Sequence, residues 1–294
     1  MLKKLSPVKR VFRSKRTGEK YSSIVKPRVT VVIPTINRES LPAALNSVTE
    51  QTFQAFEVIV VDDSVDQSVV SSGFRVIRTG GSVGVSKARN LGMLNVETEF
   101  TAFLDDDDTW HKDFLERQLL NFVHLGIDFG LTGAVVNGRN RPKTNLEIGV
   151  DPFELLYGKP HLLRSKAYFP TSTYMFRTEL SKRVQFDVLI TDRENLKFIL
   201  ECFNSGCKVY QDPQCLVSIN YLSKNSLSRI GIKEEVQWFQ YLKTLNDNWA
   251  QNFIVESARN FIRSGDRKSA KTLISMLYPH KRLLYKAILK LATI

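Results

Sequence analysis

Four consecutive carboxylates, Asp105 to Asp108, follow directly on the apolar run Phe100 to Leu104. A run of that length has the size of a buried strand, and in an open α/β sheet ligands settle beyond the carboxyl ends of the strands. Carboxylates crowded there repel one another and raise one another's pKa unless a cation neutralises them, so the residue types ask for a hard divalent metal, which at such an edge holds phosphate oxygens. The plainer reading is a solvated acidic run, with Asp107 or Asp108 serving the dipole of a helix that begins near Trp110. What favours chemistry is the company of the run. Asp62 and Asp63 close a second apolar stretch, Glu57 to Val61, and a third, Val29 to Ile33, ends at Pro34 and leads to Arg38. Three loops distant in sequence then converge on one crevice.

The elements that must position these groups alternate in kind. Val29 to Ile33, Glu57 to Val61, Phe74 to Ile77, Phe100 to Leu104 and Phe129 to Val136 read as strands,. Between them, helical spacing predicts a helix after Ser40, with apolar face Leu41, Ala44, Leu45 and Val48, and a second from Lys87 to about Leu94 capped by Ser86,. A third helix carries Phe114, Leu115, Leu119 and Phe122 and stops at Gly126,. Tyr168 to Phe176 alternates as a half-buried strand. Asp187 to Asp192 is a loop before a helix that stops at Gly206, and Lys208 to Tyr221 is a pair of short strands broken at Pro213,. Strand, helix, strand, helix with polar strand ends predicts an α/β fold, a mostly parallel sheet flanked by helices. From about Lys233 helical spacing takes over, which predicts a helical C-terminal subdomain.

The 294 residues, 43% hydrophobic, can bury a substantial core and exclude a disordered or fibrous chain,. The start lacks the apolar segment of a secretory signal and no apolar run has membrane-spanning length, so a cytoplasmic location is expected,. Cys202, Cys207 and Cys215 are odd in number and lack Cys-x-x-Cys spacing, which argues against disulfides and zinc,. His111, His124, His161 and His280 are scattered and receive no metal role,. The net charge of +12 is concentrated at the ends: residues 1–28 carry ten Lys/Arg against Glu19 alone, residues 259–294 nine against Asp266 alone, and the body between is net acidic. Basic ends with interspersed apolar residues suit an anionic membrane surface, hence a peripheral position on the inner face of the cytoplasmic membrane. No nucleic-acid signature accompanies them.

Taken together, Val29-Thr-Val-Val-Ile-Pro-Thr-Ile-Asn-Arg38, Glu57-Val-Ile-Val-Val-Asp-Asp63, Gly84-Val-Ser-Lys-Ala-Arg-Asn90, Phe103-Leu-Asp-Asp-Asp-Asp-Thr-Trp110 and a looser Phe186-Asp-Val-Leu-Ile-Thr-Asp192 resemble the motifs of a family 2 glycosyltransferase. The resemblance covers about Val29 to Arg229. It implies a GT-A-type (Rossmann-like) nucleotide-sugar domain over residues 29–229, between a basic N-terminal extension, 1–28, and a helical basic C-terminal subdomain, 230–294. By position, Pro34, Thr35 and Arg38 would line the nucleotide pocket, Asp63 would accept from the base, a uracil, and Arg89 would stand near the base or phosphates. Asp105 and Asp107 would meet Mn²⁺ or Mg²⁺, with Asp106 near the ribose or metal. Asp192 falls at the catalytic base, with Glu194 as its rival, because Thr191 stands where an acid often precedes the base. Ile36 replaces the usual aromatic before Asn37. The implied activity is inverting transfer of a sugar from a UDP-linked donor to a hydroxyl of a glycan or lipid-linked acceptor in surface polysaccharide assembly.

Two rivals are weighed. Leu104-Asp-Asp-Asp-Asp-Thr109 also satisfies the Asp-x-Asp-x-Thr pattern of haloacid-dehalogenase-like phosphatases, with Asp105 as nucleophile and Asp107 as general acid, yet no later strand supplies that family's second acidic pair. The other rival is a catalytically inactive nucleotide-sugar binding or assembly protein.

Overall fold

The computed structural model describes residues 9–13, 20–24, 28–54, 56–71, 73–142, 144–159, 167–190, 192–219 and 231–279. Expectations for Thr191, for the end of the chain beyond 279 and for most of the basic start therefore lie outside the described residues. These residues form two compact units, Met1–Gly149 with Tyr168–Leu222, and Val150–Ala167 with Ser223–Ile294. In the first, β1 (Lys9–Arg13) and β2 (Lys20–Ile24) pair antiparallel.

The sheet that matters for function is built from β3 (Val29–Thr35), β4 (Phe56–Asp62), β5 (Arg75–Arg78), β6 (Phe100–Phe103), β7 (Asp108–Trp110), β8 (Phe129–Val136), β9 (Arg139–Arg141), β10 (Met175–Arg177) and β11 (Val209–Ile219). Their order is β5-β4-β3-β6-β10-β8-β11-β7, with β9 paired to β8. The pairs β3–β4, β3–β6, β4–β5 and β8–β11 are parallel, and β10 enters antiparallel between β6 and β8. Every residue of β3 is buried, as a strand covered on both faces requires,. One face packs on α1 (Leu41–Thr49) and α3 (Phe114–Leu125): Val29, Val31 and Ile33 share a core with Leu45, Val48, Phe114 and Leu119. Toward α2 (Val85–Leu94), a Cβ added at Gly92 would come within 2.4 Å of Val32 Cγ1 and 3.1 Å of Val61 Cγ2. Phe186 stacks on Phe198 of α5 (Glu194–Asn204) at 4.2 Å between ring centroids, and both rings lie among Phe103 and Phe176.

The mixed α/β architecture with a mostly parallel sheet is as expected, and several local readings shift. The helix after the aspartates begins at Phe114 rather than near Trp110, because residues 108–110 pair with β11 as a strand. Tyr168–Phe176 is strand only from Met175, after a 3₁₀ turn at Thr171–Thr173. The stretch 209–219 is one strand whose register shifts between Asp212 and Cys215, so Pro213 makes a bulge rather than a break,. Ser40 precedes α1 without a side-chain cap. Ser86 lies inside α2, which starts from Gly84 at φ +94°; a carboxylate from another loop, Asp63, holds the Gly84 N–H at 2.9 Å. Gly126 ends α3 in the left-handed region, as its lack of a side chain allows,.

The second unit is helical: α4 (Pro152–Tyr157), α6 (Ile232–Leu245), α7 (Asp247–Arg263) and α8 (Arg267–Ser275). Asp151, Asn246 and Asp266 cap α4, α7 and α8 through their side chains,. Phe153, Tyr157, Trp238 and Phe253 form its aromatic centre. Among the described residues no helix is long and apolar enough to cross a membrane.

Candidate functional site

The carboxyl ends of β3, β4 and β6 meet at one edge, as parallel register demands: Thr35 is opposite Asp62, and the Leu104 N–H donates to the Val32 carbonyl at 3.2 Å. Pro34, the residue before Thr35 in β3, lies opposite Val61. Thr35 Oγ1 donates to Asp106 Oδ2 at 2.5 Å and accepts from the Asn37 N–H at 2.8 Å, with Asn37 at φ +63° turning the chain. Arg38 donates to the other oxygen of Asp106 and stands 3.8 Å from Asp107. Burial alone would lower the Arg38 pKa, but the Asp106 and Asp107 carboxylates outweigh it and raise it. Asp106 is 1% exposed, so its charge is balanced by arginine and hydroxyl rather than by water,.

A second arginine binds the neighbouring acid. Arg89, 3% exposed on α2, donates through one terminal nitrogen to Asp105 Oδ1 and through the other to Glu194 Oε1, each at 2.7 Å. Its burial works against the charge, and the Asp105 and Glu194 carboxylates overcome it, so its pKa lies above the ordinary value. Its face lies against the Phe186 ring at 5.2 Å, and among the described residues its buried Nε has no acceptor. The structure thus joins Arg89, Asp105 and Glu194 in one group and Thr35, Arg38 and Asp106 in another, with Asp107 beside Arg38. Asp192 sits two residues ahead of Glu194 at the start of α5, 3.0 Å from the Arg193 guanidinium.

Asp62 and Asp63 divide the work of shaping loops. Asp62 is fully buried and accepts from Ser64 N–H, Ser64 Oγ and Val69 N–H. Asp63, 5% exposed, accepts from Thr79 Oγ1 at 2.5 Å, Val83 N–H at 2.8 Å and Gly84 N–H at 2.9 Å. Three of its roughly four acceptor positions are therefore spent on the glycine-rich turn that leads into α2.

One contributor escaped the sequence reading. Ser172 Oγ accepts from Asp105 N–H at 3.1 Å and donates to Asp108 Oδ2 at 2.5 Å, while the Ser172 carbonyl accepts from Trp110 Nε1 at 2.7 Å. The short connection from β6 to β7 carries the chain to the far edge strand, so the sheet curls, and Ser172 bonds both ends of that connection. Burial first, then the charge of Asp105, pushes the Asp108 carboxyl up to about 8, against the Ser172 hydrogen bond. Burial and the same neighbour also raise Asp107, which is half exposed. The sequence signal for Ser172 is its place in the middle of three small polar residues, Thr171 to Thr173, between apolar flanks. Among the described residues no three His, Cys, Asp or Glu side chains are grouped to hold a metal by themselves.

Comparison with known proteins gives a consistent result. The family model for glycosyl transferase family 2 matches residues 30–183. A Bacillus subtilis protein named for teichuronic acid biosynthesis, TuaG, is 24% identical over 81% of this chain and 97% of its own length. The amylovoran biosynthesis glycosyltransferase AmsB of Erwinia amylovora is 37% identical over 73% of this chain and 77% of its own. The S. aureus TarS 1-349 crystal structure in complex with UDP-GlcNAc superposes with a TM-score of 0.59 at 21% identity, covering 80% of this chain and 72% of that one, whereas only 43% of a longer TarS chain is covered. The likeness to TarS establishes the GT-A-type fold; the phosphatase reading has no support in these matches. With a family model spanning the segments that carry Thr35, Asp63, Arg89 and Asp105, this chain belongs to glycosyltransferase family 2.

Proposed function

We propose that the protein transfers a sugar from a UDP-linked donor to a hydroxyl of a glycan or lipid-linked acceptor in surface polysaccharide assembly, with inversion. The observation that carries the reading is the convergence of Thr35, Arg38 and Asp106 with Arg89 and Asp105 at one sheet edge. The partly exposed Arg38 and the carboxylates beside it, which could hold a cation, suit a diphosphate leaving group,. The names of TuaG and AmsB, and the UDP-GlcNAc bound to TarS, support a nucleotide-sugar donor and a polysaccharide product.

The donor set also suits a divalent cation. Asp105 commits one oxygen to Arg89, among the described residues Asp107 has Arg38 at 3.8 Å as its ion-pair partner, and burial first, then the neighbouring Asp105 charge, raises the Asp107 pKa. Two such carboxylates match Mg²⁺ or Mn²⁺ sites that complete their shell with phosphate and water oxygens. Asp105 and Asp107 would hold the ion, which when bound supplies charge stabilisation to the departing diphosphate.

Asp192 serves as base: it takes the acceptor hydroxyl proton while the acceptor oxygen bonds to the anomeric carbon, and the diphosphate leaves with the electron pair of the old bond. Glu194 suits the role less, since its carboxylate is locked to the buried Arg89. Single displacement inverts the anomeric centre. The basic segments 1–28 and 259–294 dock the protein on the anionic inner face of the cytoplasmic membrane, which sedimentation with anionic vesicles at low salt would check,.

A thermal-shift screen of nucleoside diphosphates and their sugars, with and without Mn²⁺, tests donor and metal together. Stabilisation by UDP and UDP-sugars, deepened by Mn²⁺, is expected; indifference to all of them rejects the reading.

A further inference from the structure

Asp108, the fourth aspartate of the run, is 6% exposed and spends an oxygen on Ser172 rather than offering it to a ligand. Asp105 to Asp108 form a tight turn, which the Asp108 N–H closes on the Asp105 carbonyl at 3.1 Å,. Burial alternates along it: Asp106 lies inside with Asp108, whereas the side chains of Asp105 and Asp107 are 28% and 50% exposed. The turn thus divides four like residues into two anchors and two that face a ligand. Thr35 and Arg38 hold the first anchor, Asp106, and Ser172 holds the second.

The Ser172 hydroxyl is fully buried and has one proton to give, which goes to Asp108 Oδ2 at 2.5 Å,. That direction turns a lone pair toward the Asp105 N–H at 3.1 Å, so one hydroxyl ties the backbone of the first residue of the turn to the side chain of the last. The Ser172 carbonyl fixes the Trp110 indole N–H just beyond the turn. The serine is itself held in place at the centre of the 3₁₀ turn Thr171–Thr173, where the Thr173 N–H and Oγ1 both donate to the Pro170 carbonyl and the Gln118 amide donates to the Thr173 carbonyl. Asp105 therefore has two fastenings, its carboxylate on Arg89 and its N–H on Ser172.

We propose that Ser172 and Asp108 are positioning residues for the divalent-cation site: the hydroxyl, oriented by Asp108, sets the Asp105 backbone so that Asp105 and Asp107 reach one ion together. The inference rests on the metal reading above and adds the residues that hold its ligands. It is tested by following Mn²⁺ uptake by electron paramagnetic resonance in the full chain saturated with UDP, with UDP affinity measured separately in EDTA by calorimetry. Ser172→Ala and Asp108→Ala are each expected to weaken Mn²⁺ about tenfold or more, the usual cost of removing a partner behind a metal-binding carboxylate, with metal-free UDP affinity within about twofold of wild type. The double Ala variant is expected to be no worse than either single one, since the two residues act through one bond. Asp108→Asn, which keeps an acceptor for the hydroxyl, is expected to retain Mn²⁺ affinity within about threefold, and Ser172→Cys, close in size but a weak donor and acceptor, replaces an Ala variant that fails to fold. Unchanged Mn²⁺ affinity in Ser172→Ala, even with a lowered melting temperature, makes the serine purely architectural and overturns the proposal. A loss in Asp108→Asn equal to that in Asp108→Ala also overturns it, because the charge and not the bond would then matter. A wild type that takes up no Mn²⁺ overturns the metal reading and the proposal together, whereas uptake undisturbed by the variants overturns the proposal alone.

Discussion

Arg89 donates to Asp105 at 2.7 Å from a position that is 3% exposed, so the first acid of the aspartate run is held by a buried cation rather than by solvent. Because the same guanidinium also holds Glu194, the end of β6 and the start of α5 share one charge. Removing either side of such a pair strands the other in a low-dielectric site.

Arg89→Ala is therefore expected to lower stability by about 3–5 kcal/mol, since it leaves two carboxylates partly buried without their counter-charge. Urea denaturation at neutral pH measures it. A loss under about 1 kcal/mol would mean that the pair is well solvated in solution.

Asp192→Asn and Glu194→Gln separate catalysis from architecture. Asp192→Asn is expected to abolish transfer while melting temperature and UDP binding stay near wild type. Glu194→Gln is expected to lower the melting temperature, because it weakens a charge-assisted bond to Arg89,. Near-normal turnover in the Asp192 variant would move the base elsewhere.

Gly92→Ala probes the seating of α2, which carries Arg89. Alanine gains up to about 1 kcal/mol of helix propensity. Its methyl group would meet Val32 Cγ1 at 2.4 Å, and overpacking of this kind costs about 1–3 kcal/mol,. The expected outcome is net destabilisation with reduced UDP affinity, read by denaturation and calorimetry.

Asp187 adds a pH dependence to the loop before α5. Burial would raise its pKa, but the Lys197 ammonium at 2.5 Å and the Leu189 N–H outweigh it, so the folded pKa lies below the ordinary aspartate value. The group binds its proton more weakly when folded, so its stabilisation is present above the unfolded pKa and disappears as the pH falls through the folded one. Asp187→Asn is expected to flatten the acid side of the stability profile by about 1 kcal/mol or less, and an unchanged slope would dissociate the pair from folding.

Much of this was legible in the chain because burial and charge alternate sharply. Runs such as Val29 to Ile33 and Glu57 to Val61 end at polar residues, and parallel strands buried on both faces must read that way,. The convergence of Thr35, Asp63 and Asp105 at one edge follows from that pattern and the rule for open α/β sheets. What the sequence could not disclose is who partners whom. That Arg38 takes Asp106, that Arg89 takes both Asp105 and Glu194, and that Ser172 ties β6 to β7 depend on side chains 68, 16, 105 and 64–67 residues apart in the chain. Periodicity reports only which face a residue occupies. Pairing across the curl is decided by antiparallel insertion of β10 between β6 and β8, where buried polar groups must find partners once water is gone,.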